Sequence, residues 1–114
     1  MRNSLQKRTW AEVSLDNISH NYRAIRAALP EGCRAGSIVD FWAEGVGRKL
    51  EALGADYLAV SSLDEAMELR SAGITMPLLI LGHTPSEYTE TLIDNDITQT
   101  VSCLAKAQEF SARA

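Results

Sequence analysis

Residues 57–101, YLAVSSLDEAMELRSAGITMPLLILGHTPSEYTETLIDNDITQTV, decide the fold. Three short apolar or β-branched runs begin near residues 57, 77 and 97, and a segment with helical start signals follows each. Tyr57–Ser61 is a mostly apolar run. Pro77–Gly82 is a continuous apolar run, the pattern of a strand buried on both faces. Ile97–Val101 is rich in β-branched residues. Between them, Ser62 and Glu65 form a capping box that opens a helix over Leu63–Ala72, closed by Gly73. Thr84, Pro85 and Glu87 supply a cap, a first-turn proline and a capping acid for a helix over Pro85–Asp94. Ser102 caps a last helix, Cys103–Arg113, with Leu104, Ala107 and Phe110 on its buried side.

The spacing is about 20 residues, which raises a leucine-rich repeat. The L-x-x-L-x-L framework is absent and each unit carries a capped helix, so that reading fails. Strands alternating with helices across short links imply parallel pairing through right-handed crossovers. An open doubly wound sheet and part of a (β/α)8 barrel both satisfy this pattern. A complete barrel takes roughly 250 residues, so the 114 residues here hold about half of one.

Upstream, the pattern continues less clearly. Residues 9–14 read as a short extended segment. A helix over Asp16–Leu29 places Leu15, Ile18, Tyr22, Ile25 and Leu29 on one face, with Ser14 or Asp16 as cap and Pro30 as stop. A second helix over Ala43–Leu53 aligns Ala43, Val46, Leu50 and Leu53, and Gly54 caps it.

Composition narrows the function classes. Apolar residues make up 46% and charged residues 23%, with a net charge of −4, which suits a soluble globular domain and argues against a duplex nucleic-acid or anionic-membrane surface. No apolar run approaches a membrane span, and the N-terminus lacks the apolar core of a secretory signal. A cytoplasmic setting is therefore expected. Cys33 and Cys103 form no CxxC pair and are expected as buried or half-buried thiols. His20 and His83 show no metal-ligand spacing with each other or with the cysteines. His20 falls in a helical pattern. His83 follows an apolar strand, where binding loops sit. No metal site is expected.

Specific motifs go further. TWAEVSLDNISHNYRAIRAALP (9–30), LEALGADYLAVSSLDEAMELRSAGITMPLLILGHTP (50–85) and ITQTVSCLAKAQEFSARA (97–114) resemble the alanine racemase family over about residues 8–114. Residues 1–7 then form a flexible N-terminus. The resemblance implies the N-terminal part of a pyridoxal-phosphate-binding (β/α)8 barrel, with about four parallel strands alternating with helices. It also implies a homodimer, and a reaction interconverting L- and D-alanine that supplies D-alanine for the cell wall. In the family, a lysine at the end of the first barrel strand holds the cofactor as a Schiff base, in a pattern like A-V-V-K-A-N-A-Y-G-H-G.

Here that place reads AGSIVDFWAEG. Asp40 stands roughly where the lysine would be, and Phe41 and Trp42 replace small and polar residues. A carboxylate cannot form an imine. The three lysines are Lys7, Lys49 and Lys106, none at the carboxyl end of an expected strand. Leu81, ending the PLLILG run, is the only position matching one that lines the cofactor ring in the family. No catalytic residue carries over.

Three readings follow. The chain is a catalytically silent racemase-like fragment, or a half-barrel that needs a complementing chain, or a non-catalytic interaction module that associates with itself through open sheet edges. A shifted reading frame across codons 33–48 would account for the same residues.

Overall fold

The computed structural model describes residues 11–40 and 43–114. Helix α1 (Leu15–Ala28) leads into strand β1 (Gly36–Ile38), and three further pairs follow. These are α2 (Ala43–Ala52) with β2 (Tyr57–Val60), α3 (Leu63–Ser71) with β3 (Leu78–Ile80), and α4 (Thr89–Asp94) with β4 (Ile97–Gln99). A short 3-10 turn, Ser86–Tyr88, precedes α4, and α5 (Leu104–Arg113) closes the chain. The strands form one parallel sheet in the order β1-β2-β3-β4. Leu58 stands beside Leu78, and Leu78 beside Ile97, so the apolar runs align in register.

The alternation along each strand shows which faces are covered. Leu58, Val60, Leu78, Ile80 and Ile97 join Tyr22, Leu50, Ala66, Leu69 and Leu92 of the helices in one buried cluster. The opposite face is bare: Ile38 is 72% exposed and Leu81 45%, and Leu79 is only half-buried. Ala59 is buried yet lies outside the helix-side cluster. A doubly wound sheet would carry helices on both faces. Helices on one face of a parallel sheet match a barrel wall, with the bare face as its interior side. The expectation that PLLILG is buried on both faces is therefore corrected, because only its helix side is covered among the described residues.

Local signals account for most boundaries. Ser14 Oγ accepts the Asn17 amide at 3.2 Å and starts α1. Ser62 Oγ accepts the Glu65 amide at 3.3 Å. The Glu65 carboxylate reaches one residue beyond the usual capping box, accepting both the amide and the hydroxyl of Ser61 at 2.8 Å. Gly54 (φ +77°) and Gly73 (φ +83°) turn the chain out of α2 and α3 in the left-handed region.

Several expectations fail for identifiable reasons. Residues 11–14 pair with no strand among the described residues, and Thr9 and Trp10 lie outside them. The boundary of the 1–7 segment also falls outside the described residues. Ile25 (59% exposed) and Leu15 (39%) are not buried, because α1 packs chiefly on α2 through Tyr22 and Ser19. Thr84 is not a helix cap: it is buried and its hydroxyl has no partner, and the chain turns through the 3-10 segment before α4 begins. In α5 the cap position is Cys103 rather than Ser102, with no side-chain bond, and Leu104 is 74% exposed. That helix contacts only the 3-10 turn and α4 to any extent, so Ala107 and Phe110 are half-buried.

Candidate functional site at the carboxyl ends of the strands

A parallel barrel wall gathers chemistry at the carboxyl ends of its strands. In this chain those ends are Asp40, Ser61, the Leu81–His83 segment and Thr100. The ladder extends one residue past β1, β3 and β4: the Val39 amide donates to Ala59 O at 2.9 Å, Leu81 to Val60 O at 2.8 Å and Thr100 to Ile80 O at 3.0 Å. Asp40 therefore follows directly on the last ladder residue of β1, and it is exposed. Phe41 and Trp42 lie outside the described residues.

The segment after β3 is held tightly. A Cβ added to Gly82 would sit 2.2 Å from the backbone oxygen of Ser61, so only glycine permits this approach between the ends of β2 and β3. Gln99 Nε2 donates to Gly82 O at 2.7 Å and to Thr100 O at 2.8 Å, tying β4 to the same segment. Gln99 Oε1 and Thr84 Oγ1 are buried without partners among the described residues. Sequence reading missed the roles of Gly82 and Gln99. The signal for Gly82 was present, since a glycine ending an apolar run marks close backbone approach.

The described lysines lie elsewhere. Lys49 is half-buried in the last turn of α2. Because α2 starts at the carboxyl end of β1 and runs back along the sheet, that turn lies toward the amino ends of the strands. Lys106 Nζ pairs with Glu109 Oε2 at 2.6 Å on α5. This bond holds the Glu109 carboxyl below its usual range against a small opposing desolvation. Lys7 lies outside the described residues. His20 and His83 are both exposed. Cys33 and Cys103 are free and exposed, correcting the expectation of buried or half-buried thiols. Their apolar neighbours belong to strands and helix faces, whereas both cysteines sit in connecting segments.

Pyridoxal phosphate, the cofactor the resemblance implies, needs a lysine amine at one of these strand ends. The residues present do not fit it. Asp40 brings a negative charge where the amine is required, and the stretch from 33 to 48 contains no lysine. Ser61 is engaged by Glu65, and Leu81 offers only an apolar side chain. Among the described residues, this chain shapes one wall of a site and places no lysine amine at its strand ends.

Against known proteins, residues 13–114 match the family model described as alanine racemase, N-terminal domain. The chain is 42% identical over 113 residues to an alanine racemase of Desulfosudis oleivorans, covering 92% of this chain and 28% of that protein. It is 40% identical over 118 residues to one of Desulfovibrio desulfuricans, covering 97% and 31%. Among solved structures, it superposes on alanine racemase of Clostridium difficile 630 with a TM-score of 0.82 at 39% identity, over 96% of this chain and 30% of that one. The chain thus spans less than a third of the length of these relatives.

Proposed function

We infer the function from one premise: this chain belongs to the alanine racemase family, through its N-terminal domain. Its four parallel strands and their helices form part of a (β/α)8 barrel. On that basis it is an alanine racemase-like polypeptide. The reaction it derives from is the pyridoxal-phosphate-dependent interconversion of L- and D-alanine that supplies D-alanine. The chain itself is catalytically silent.

The observation that carries this reading is the carboxyl end of β1, where Asp40 follows the ladder and no lysine occurs between residues 33 and 48. Racemisation requires a proton to leave one face of the α-carbon and return on the other, with an electron sink to hold the charge between. Without an amine at the strand end, the sink cannot be fixed in place. Leu81 is the one residue proposed to line the cofactor ring. Its support is its position at the end of β3, exposed on the uncovered face.

The test is direct. The full chain is incubated with pyridoxal phosphate, reduced with borohydride and analysed by mass spectrometry, with alanine racemisation followed in parallel. Neither a stoichiometric, site-specific adduct nor racemisation is expected, and either one would overturn the reading.

A second reading rests on the uncovered sheet face. Ile38, Leu79 and Leu81 present apolar surface with no layer over it among the described residues. Among the described residues, strands β1 and β4 each pair on one side only. Such surfaces favour association, so we propose that the chain self-associates, in keeping with the homodimers of the family, or pairs with a complementing chain. Sedimentation showing a monodisperse monomer that melts cooperatively would refute it. Among the described residues no helix is long and apolar enough to cross a membrane, and we place the protein in the cytoplasm.

A further inference from the structure

Helices α1 and α2 lie side by side on the outer layer, and between them runs a depression of about 600 Å³ lined by Asp16, Ser19, His20, Arg23, Ala24 and Lys49. It lies on the helix side of the sheet, away from the strand ends, and the racemase reading makes no use of it.

Its charge is unusual for this molecule. The chain carries a net charge of −4, yet this depression gathers two fixed cations and a histidine against one carboxylate. Four of the eight described lysines and arginines are engaged. Arg26 binds Asp56, Arg48 binds Glu44, Lys106 binds Glu109, and Arg70 binds four backbone carbonyls. Arg23 and Lys49 make no ion pair and no side-chain hydrogen bond among the described residues. Asp16 lines the same depression but pairs with neither. The Ser19 hydroxyl is turned inward, donating to Leu15 O at 2.8 Å, so it does not compete for a ligand. Lys49 is half-buried, which limits the freedom it would lose on binding.

We propose that this depression binds a small tetrahedral oxyanion, inorganic phosphate or the phosphate group of a small metabolite. Arg23 supplies a planar fork for two oxygens, Lys49 a point charge, and His20 a ring N–H. A tetrahedral oxyanion offers acceptor oxygens in several directions, so Arg23, Lys49 and His20 can each donate to it at once, while chloride offers no such directed set and a monocarboxylate only two coplanar oxygens. The α1–α2 contact is tied below by the Tyr22 hydroxyl donating to Gly54 O at 3.3 Å, so the two walls hold their spacing without a ligand.

The experiment titrates the isotopically labelled full chain with inorganic phosphate at constant ionic strength, using chloride and acetate as comparison arms and NMR shifts as the readout. The expected result is a saturable shift confined to His20, Arg23 and Lys49 and their neighbours. The double variant Arg23→Gln/Lys49→Gln should weaken the apparent affinity about tenfold or more, while Arg113→Gln leaves it unchanged. Both variants are exposed or half-buried surface changes, and matched thermal melts establish that they fold. Shifts of equal size at all cations, equal response to chloride, or full retention of binding in the double variant would each overturn the assignment. A free phosphate and a phosphate monoester are separated by repeating the titration with a simple alkyl phosphate, where tighter binding identifies the monoester as the preferred form.

Discussion

Arg70, in the last turn of α3, offers the sharpest test of how this wall is held together. Its guanidinium donates to Ile74 O, Met76 O and Asn95 O at 2.8 Å and to Asp96 O at 2.9 Å. The first two carbonyls lie on the chain entering β3, and the last two on the turn entering β4. One side chain therefore fixes the approach of two adjacent strands. The turn at Asp96 also holds a left-handed φ of +48°, a conformation that needs support from its surroundings. Replacing Arg70 by methionine keeps much of the apolar stem but removes all four donors. A hydrogen bond to a charged group contributes about 1.5–3 kcal/mol, but these bonds are only partly buried, share one donor group and leave carbonyls that water can reach, so the expected loss is about 2–4 kcal/mol. Against a total stability of about 5–15 kcal/mol this is a large fraction. In urea it should lower the midpoint by about 1–2 M with little change in slope. Arg70→Lys should recover only part of the loss, since a point charge cannot span carbonyls from both strand entries. Hydrogen exchange should show the largest gain at Leu78–Ile80 and Ile97–Gln99. If Arg70→Met melts within about 0.5 kcal/mol of the parent, the node contributes no more than an ordinary surface residue and the reasoning fails.

Three further outcomes follow from the same packing. Gly82→Ala places a methyl 2.2 Å from the Ser61 backbone oxygen and should destabilise by about 1–3 kcal/mol in a denaturant melt, because backbone cannot yield cheaply. Gly47→Ala meets Ile74 Cδ1 at 2.7 Å and Leu58 Cδ1 at 3.2 Å, both side-chain ends rather than backbone, and gains helix propensity of about 1 kcal/mol, so its melt should lie close to the parent, whereas Gly47→Leu should lose about 2 kcal/mol or more. Glu51 accepts the Thr75 amide at 2.8 Å, the Met76 amide at 2.8 Å and the Thr75 hydroxyl at 2.9 Å, and the Thr75 amide bond leads in holding its carboxyl below the ordinary 4.5. A lowered folded value means the stabilisation is complete above the unfolded value and is lost as pH falls through the folded one. The stability advantage over Glu51→Gln should therefore be constant near neutrality and shrink below about pH 4.5, and an advantage that grows on acidification would contradict this.

Sequence periodicity located the strand–helix alternation well, because each boundary carries its own local signal. Ser14, Ser62, Gly54 and Gly73 all act where the pattern placed them. What it could not give was the number of covered faces. PLLILG has the same composition whether helices cover one side or both, and only the one-sided cluster around Leu78 and Ile80 distinguishes a barrel wall from a doubly wound sheet. The same limit produced the errors at Ile25 and Leu104, whose helical spacing is apolar but whose neighbours in the fold are few. Thr84 failed differently: threonine before proline is a good cap in isolation, but here the residue is drawn inward behind the Gly82 contact. The Arg70 node was invisible as well, since its partners are all backbone oxygens, two of them 25 and 26 residues away.

The contrast between fold and chemistry in this chain follows from how each is stored. The wall is specified redundantly, by caps, glycines and apolar residues spread from Ser14 to Phe110, so losing any one signal leaves the rest pointing to the same structure. The family's attachment chemistry depends on one amine at one strand end, and a single short stretch can delete it without disturbing the register of β1 on β2, which still runs from Gly36 beside Tyr57 to Ile38 beside Ala59. Under the proposed function, this chain keeps the scaffold of an alanine racemase without the reaction. The exposed Ile38 and Leu81 then become the feature to explain. They retain the character of residues that face a barrel interior. Apolar exposure on this scale is a liability unless something covers it. For that reason the association state, more than residual activity, is the property that distinguishes a protein with a role from a wall left standing without its site.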